Sequence, residues 1–137
     1  ENWEWAWGML AKMLECQVEP NVVSYNAAIS ACSKWQRPEQ ALELLERMRQ
    51  QLVVPDVITY NAAVTACEKG KQPRRALELF ESMRQQGLAP NVVTYSAAIS
   101  ACDKGQQVEW ALELFRNMQL ARLAPNLITY NAVISAC

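Results

Sequence analysis

Two columns of polar residues recur along this chain of 137 residues at a fixed spacing of 35 residues. The first column consists of Asn26, Asn61, Ser96 and Asn131, and the second consists of Asn21, Asp56, Asn91 and Asn126. An amide side chain donates and accepts hydrogen bonds at once, a carboxylate only accepts them, and a hydroxyl is smaller than either. The two columns therefore supply hydrogen-bonding groups whose chemistry changes from one period to the next.

A third column is apolar and precedes the first polar column by three residues. It consists of Val23, Ile58, Val93 and Ile128. Residues three apart share one face of a helix, so each period places an apolar and a polar side chain next to each other.

The composition argues against catalysis. The chain has no histidine, which excludes the metalloprotease helix and the Ser-His and Cys-His dyads. Its four glycines are scattered and form no phosphate-binding loop, and no C-x-x-C pair marks a zinc site. We expect no enzymatic activity, no metal and no cofactor in these residues.

The columns belong to a repeated segment, which is written PNVVSYNAAISAC where it first occurs at Pro20. Close copies begin at Pro55, Pro90 and Pro125. A fixed period of this size indicates stacked supersecondary units. Apolar residues at helical spacing predict two helices per period, Val22 to Lys34 and Pro38 to Gln50 in the first full repeat.

We expect one all-α array over residues 1–137, because a single hairpin cannot bury its own apolar face. Residues 1–19 align with the second helix of a partial repeat, and residues 125–137 with the first helix of another. The three full repeats are 20–54, 55–89 and 90–124.

Glycine, Asp and Asn residues near the helix ends predict how the helices begin and end. Gly70 and Gly105 fall just past a first helix, where a left-handed closing residue is common. Trp35 replaces this glycine in the first full repeat, so that turn should differ or be strained. The second polar column lies where N-caps are expected, which by itself would select Asp or Asn there.

Charge and cysteine usage set further bounds. The net charge of -1 is not that of a strong, non-specific nucleic-acid binder. Cys32, Cys67, Cys102 and Cys137 share one column, and helices packed about 8 to 10 Å apart would hold them too far apart for disulfides. We therefore expect reduced, structural thiols. No apolar run approaches the roughly 20 residues that span a bilayer, so no membrane span is expected.

A 35-residue helical hairpin with V-[VI]-[ST]-Y-[NS] at its head, A-L-E-L-[LF]-x-x-M in its second helix and P-[ND] at its close resembles the pentatricopeptide repeat family, P-type. A 34-residue tetratricopeptide array fits worse in period and lacks this head. The resemblance implies a right-handed α-solenoid of stacked helix-turn-helix repeats. Its first helices would line a concave groove that binds single-stranded RNA, one base per repeat.

The resemblance also assigns roles to the three columns. The two polar columns would read bases in pairs, namely Asn26 with Asp56, Asn61 with Asn91 and Ser96 with Asn126. Asn131 would start a further pair, and Asn21 would close the pair of an earlier repeat. The apolar column would wedge between bases. The family's pairing tendencies imply a preference for 5′-U-Y-A-3′, with Y a pyrimidine.

Two further sets of residues have open assignments. Lys34, Lys69 and Lys104 would contact phosphates, as the equivalent lysine does in the family, or interact with the negative end of a helix. Trp3, Trp5 and Trp110 would pack within the array or contact other proteins.

The expected function is a sequence-selective RNA-binding module of an organellar RNA-processing, stability or translation factor, in a chloroplast or mitochondrion. That localisation is implied by the resemblance alone. The alternative is a structural or protein-interaction solenoid within a large assembly. Single-stranded RNA is the expected partner, and no DNA is expected.

Overall fold

The computed structural model describes residues 2–137, and over that range it contains eight α-helices joined by short turns and no strand. The helices are α1 (Asn2–Glu15), α2 (Val22–Lys34), α3 (Pro38–Gln50), α4 (Val57–Lys69), α5 (Pro73–Gln85), α6 (Val92–Lys104), α7 (Val108–Leu120) and α8 (Leu127–Ala136). The helices α2 and α3 have the bounds that the sequence predicts. The all-α solenoid prediction is confirmed for the described residues, among which Glu1 is not included.

The first helix of each repeat, α2, α4, α6 and α8, begins with a reciprocal pair of hydrogen bonds called a capping box. The N-cap side chains belong to Asn21, Asp56, Asn91 and Asn126. They accept the backbone N–H of Ser24, Thr59, Thr94 and Thr129 at 3.0, 3.0, 3.1 and 2.9 Å. In return, each hydroxyl accepts the backbone N–H of its N-cap. The predicted N-cap role of the second polar column is confirmed.

The second helices α3, α5 and α7 begin without a side-chain cap and depend on packing. Pro38 and Pro73 occupy the first turns of α3 and α5, where their missing N–H removes no bond. In α3 the apolar residues at helical spacing, Ala41, Leu44, Leu45 and Met48, are at most 2% exposed. Burying each large apolar side chain stabilises the fold by about 1.5–3 kcal/mol.

The two sets of helices form two layers with different spacing. The first helices pack directly on one another, α2 on α4, α4 on α6 and α6 on α8. The second helices α3, α5 and α7 each pack between two consecutive first helices, and α1 packs on α2. Within residues 2–137, consecutive second helices are further apart and meet only through long side chains, such as Arg75 and Glu39 at 3.6 Å. Because the first helices are the closely stacked layer, they form the concave side of the array.

Buried residues between the layers form one continuous core. Tyr60, Ala63, Ala66 and Cys67 of α4 are all fully buried. Cys32, Cys67 and Cys102 are buried free thiols, and burial raises the pKa of Cys67 and of Cys102 to about 11. These thiols stay protonated at neutral pH, as structural cysteines do. Cys137, in the same column, is exposed.

The prediction for the turn glycines is wrong. Gly70 and Gly105 have φ angles of -82° and -89°, and Trp35 at the equivalent position has -98°. The left-handed residue is the next one in each turn: Gln36, Lys71 and Gln106 have φ angles of 56°, 55° and 57°. The turn at Trp35 therefore follows the same path as the others.

The glycines at positions 70 and 105 are instead explained by the close approach of the preceding repeat, which leaves no room for a side chain. A Cβ atom on Gly70 would lie 2.6 Å from Cγ of Pro38, and one on Gly105 would lie 2.3 Å from Cγ of Pro73. Both distances are shorter than real Cβ contacts allow. At the position one period before Pro38 the chain has Trp3 instead of proline, so Trp35 does not meet this proline ring.

Among the described residues, no helix is both long enough and apolar enough to cross a bilayer.

We expect Gly70→Ala to lower the free energy of unfolding by about 1–3 kcal/mol, because the new methyl group is forced against Pro38. Urea denaturation followed by circular dichroism measures the change. Gly8→Ala is the matched control: no atom lies within 4 Å of a Cβ there. Since Gly8 is inside α1, alanine should stabilise by up to about 1 kcal/mol. Equal effects of the two substitutions would contradict the steric explanation.

Candidate nucleic-acid interface

The apolar column lies exposed along the concave layer. Exposed fractions are 72% for Val23, 61% for Ile58, 55% for Val93 and 62% for Ile128. Each of the four is the second residue of its helix, in α2, α4, α6 and α8 respectively. They contribute little to the core, so their apolar surface is available to a ligand.

An open cleft separates two of these side chains. It has a volume of about 320 Å³ and lies between Ile58 and Val93, with Asn61, Ala62 and Thr65 along it. Ser30 and Ser33 of α2 complete the lining. Its volume is at the low end of the range for small-molecule sites, about 300–1,000 Å³.

The structure brings together the first predicted pair of polar residues across a repeat boundary. Asn26 is only 8% exposed, and its Nδ2 donates to Oδ1 of Asp56 at 3.1 Å. The hydroxyl of Thr59 donates to Oδ1 of Asn26 at 2.5 Å. Asn26 is therefore held by the N-cap and by the third residue of the next first helix.

The second pair repeats this arrangement, and the third is looser. Nδ2 of Asn61 donates to Oδ1 of Asn91 at 3.2 Å, and Thr94 donates to Oδ1 of Asn61. Ser96 reaches Oδ1 of Asn126 only at 3.5 Å, while its hydroxyl lies 2.8 Å from that of Thr129. A shorter side chain in the first column therefore weakens the contact with the second column.

The chemistry of the partners fixes the orientation of each amide. The carboxylate of Asp56 only accepts, so Asn26 must turn its nitrogen towards it and its oxygen towards Thr59. The side-chain and backbone bonds from Asn26 and Thr59 converge on Oδ1 of Asp56. Among the described residues, one N–H of Asn26 and Oδ2 of Asp56 therefore have no side-chain partner. In the second pair the corresponding remaining atom is Nδ2 of Asn91, which is a donor.

The outlying members of the polar columns are exposed. Asn21 caps α2, and Asn131 lies in the first turns of α8. Within residues 2–137, neither is brought to a partner in the other polar column.

The threonine column was not identified from the sequence as part of the site. Thr59, Thr94 and Thr129 are fully buried, and each contacts the polar residue of the preceding repeat. The capping-box spacing predicts a hydroxyl at these positions, but it does not reveal a contact with a residue 33 positions earlier.

The lysine column is not uniform. Nζ of Lys104 pairs with Glu68 of the preceding repeat at 2.5 Å, and the Glu68 side chain is only 16% exposed. Within the described residues, Lys34 and Lys69 form no such ion pair. The residue before each lysine is Ser33, Glu68 or Asp103, so carboxylates accompany only the later members of the column.

The tryptophans have different environments. Trp5 is 67% exposed, whereas Trp3 and Trp110 are half-buried. The guanidinium of Arg37 lies 5.2 Å from the centre of the Trp3 ring. Within residues 2–137, no cluster of His, Cys, Asp or Glu could hold a metal ion.

Burial and hydrogen bonding act in opposite directions on Asp56. Burial disfavours its charged form, but the backbone N–H and hydroxyl of Thr59 and the amide of Asn26 stabilise the carboxylate. The hydrogen bonds together outweigh burial, so the pKa of Asp56 lies below its ordinary value.

We therefore expect ionised Asp56 to stabilise the fold above its unfolded-state pKa, and this contribution to disappear as the pH falls through the lower folded-state pKa. Asp56→Asn keeps a capping side chain but removes the titration. The stability advantage of the parent chain over this variant should thus shrink on acidification. Urea unfolding of both chains at several pH values measures it, and parallel curves at every pH would contradict the assignment.

Comparisons with known proteins extend these observations. The family model described as pentatricopeptide repeat domain matches residues 8–70, 43–105 and 104–137. A comparison with curated protein sequences gave no match.

Solved structures share the fold. The pentatricopeptide repeat domain of Arabidopsis thaliana protein-only RNase P 1, in complex with tRNA, is similar with a TM-score of 0.87 and 17% identity, covering 98% of this chain and 72% of that one. PPR10 from maize is similar with a TM-score of 0.80 and 28% identity, covering 97% of this chain and 19% of that one. PPR10 in complex with an 18-nt psaJ RNA element gives a TM-score of 0.77 and 30% identity, covering 91% of this chain and 19% of that one.

The chain thus spans about a fifth of the length of PPR10. The family model covers nearly all of it, in agreement with the period, the capping boxes and the stacked hairpins. The chain belongs to the pentatricopeptide repeat family.

Proposed function

We propose that this chain is a sequence-selective module that binds single-stranded RNA and reads one base per repeat. The observation that carries the proposal is the repeated pairing of the two polar columns beside an exposed apolar side chain. RNA complexes of structural relatives support it: one is bound to tRNA and another to an 18-nt RNA element.

The atoms left free in the first pair suit uracil. The remaining N–H of Asn26 can donate to a base carbonyl, and Oδ2 of Asp56 can accept the N3–H of uracil. Cytosine has an unprotonated N3, which would face the carboxylate oxygen without a proton between them. Asp56 therefore favours uracil over cytosine.

The other two pairs have different preferences. Asn91 offers Nδ2 as a donor where Asp56 offers an acceptor, which removes the discrimination against cytosine. By the family's pairing tendencies, the second pair takes either pyrimidine. Ser96 is shorter than asparagine and leaves room for a larger base, which suits adenine beside Asn126. The proposed order is 5′-U-Y-A-3′, read parallel to the chain.

Three bases give limited affinity. At about 1–3 kcal/mol of discrimination per well-read base, three full repeats are too few for tight, specific recognition. More repeats or a partner protein would supply the remainder. We further propose that the module serves an organellar RNA-processing, stability or translation factor, by the family resemblance.

A protein-interaction solenoid is the second candidate. Trp5 and Met9 are 67% and 46% exposed and together line an open cleft on α1. Exposed aromatic surface of this kind suits a protein contact. Equal and negligible binding of every RNA oligomer would favour this candidate.

We expect Asp56→Asn to relax the base preference of the first full repeat. The preference for uracil over cytosine should fall by about fivefold or more, because an acceptor becomes a donor. Fluorescence anisotropy with oligomers that differ at one position measures it. Asn91→Asp is the reciprocal control and should sharpen the preference for uracil at the next base. An unchanged preference in both variants would remove this column from base reading.

We expect Glu68→Gln to strengthen RNA binding similarly for every sequence, because it releases Lys104 for a phosphate. One further phosphate contact should steepen the slope of log affinity against log salt by about 0.7. Binding titrations at several salt concentrations measure the slope. Glu78→Gln on α5 removes the same charge from a second helix and should leave the slope unchanged. Equal slopes for both variants would exclude Lys104 as a phosphate contact.

A further inference from the structure

We propose that Thr59, Thr94 and Thr129 are positioning residues for base recognition by the repeat that precedes each of them. The unit that reads a base would then have three side chains and extend across a repeat boundary. This inference rests on the proposed RNA-binding function and deepens it.

The contacts of Thr59 place it at the centre of the first pair. It is fully buried, and its hydroxyl oxygen lies 2.5 Å from Oδ1 of Asn26 and 2.9 Å from Oδ1 of Asp56. The same oxygen accepts the backbone N–H of Asp56 at 3.0 Å. Thr59 therefore contacts both members of the pair at once.

Only one of the two contacts can use the hydroxyl proton. Oδ1 of Asp56 already accepts from Asn26 and from the backbone N–H of Thr59. Among the described residues, Oδ1 of Asn26 accepts no other bond. The proton therefore goes to Asn26, which is also the shorter contact, since an acceptor without a donor at 8% exposure would be costly.

This bond fixes what the amide offers to a base. With its oxygen engaged by Thr59 and one N–H engaged by Asp56, Asn26 has only a donor left for the groove. Without the hydroxyl, the amide oxygen of Asn26 loses its donor and Asp56 alone restrains the side chain, so the amide can tilt and offer its oxygen as well as its N–H to a base. Loss of the hydroxyl should therefore weaken discrimination between bases more than it weakens overall affinity.

In the third repeat, the donor and the acceptor of the corresponding bond are not fixed. Ser96 and Thr129 are both hydroxyls, 2.8 Å apart, and either of them can donate to the other. Ser96 can then face a base as donor or as acceptor. We expect the third base to be read less strictly than the first.

The experiment compares Thr59→Val with the parent chain. Valine has nearly the same shape but no hydroxyl. We expect discrimination at the base read by the first full repeat to fall by about two- to tenfold, with the second base unaffected. Thr59→Ser should restore discrimination. Binding titrations with single-base oligomer panels provide both values.

Ser24→Ala is the matched control for lost capping. Ser24 forms the same capping box in α2, and among residues 2–137 its hydroxyl contacts only Asn21, with 3.2 Å between Oγ of Ser24 and Oδ1 of Asn21. It should cost similar stability and leave discrimination at all three bases unchanged. Thr94→Val should lower discrimination at the second base instead of the first. This variant tests the proposal if Thr59→Val does not fold.

A readout without RNA separates the two proposals. The side-chain amide of Asn26 gives its own NMR signals, and Thr59→Val should shift them and speed their hydrogen exchange. Unmoved signals, or undiminished discrimination by Thr59→Val, would overturn the positioning role. Moved signals in a chain that binds no RNA would support the positioning and defeat the proposed function.

Discussion

The structure depends on the close packing of successive first helices. Small residues accompany this packing: Ala63, Ala66 and Cys67 of α4, a helix that packs between two neighbouring first helices, are fully buried. Helices packed in this way are about 8–10 Å apart. Consecutive bases in a stacked strand are separated by roughly 3.4 Å, so a strand that followed this groove would have to unstack. An exposed Val or Ile at every repeat is suited to replace the lost stacking surface.

The same few side chains begin the helices and form the candidate site. Asp56 caps α4, accepts the amide of Asn26 and has its pKa lowered by both sets of hydrogen bonds. Thr59 closes the capping box and holds the amide oxygen of Asn26. Folding thus prepares the polar groups before any ligand arrives, which reduces the ordering that binding would otherwise require.

The sequence predicts the features that depend on local chemistry and period. The bounds of α2 and α3, the N-caps and the buried thiols of Cys32, Cys67 and Cys102 all follow from residues close in the chain. The sequence does not predict the contacts that join different repeats. The role of Gly70 depends on Pro38, which is 32 positions earlier, and a glycine after a helix equally suits a left-handed turn. The Thr59 to Asn26 bond and the Lys104 to Glu68 pair also join residues more than 30 positions apart. A period indicates that columns are stacked, but it does not give the side-chain geometry between them.

The capping boxes limit which residue types can occupy the N-cap position of each first helix. A residue at the position of Asp56, Asn91 or Asn126 must start a helix before it can contact anything else. Only Asp, Asn, Ser, Thr and Gly cap well, and replacing a good cap by alanine costs about 0.5–2 kcal/mol. Changes within that small set alter the exposed donor or acceptor with little loss of stability, and changes outside it weaken the helix of the following repeat. Under the proposed function, the array could be retargeted at this column only among a few residue types, whereas the column of Asn26, Asn61 and Ser96 does not have that restriction.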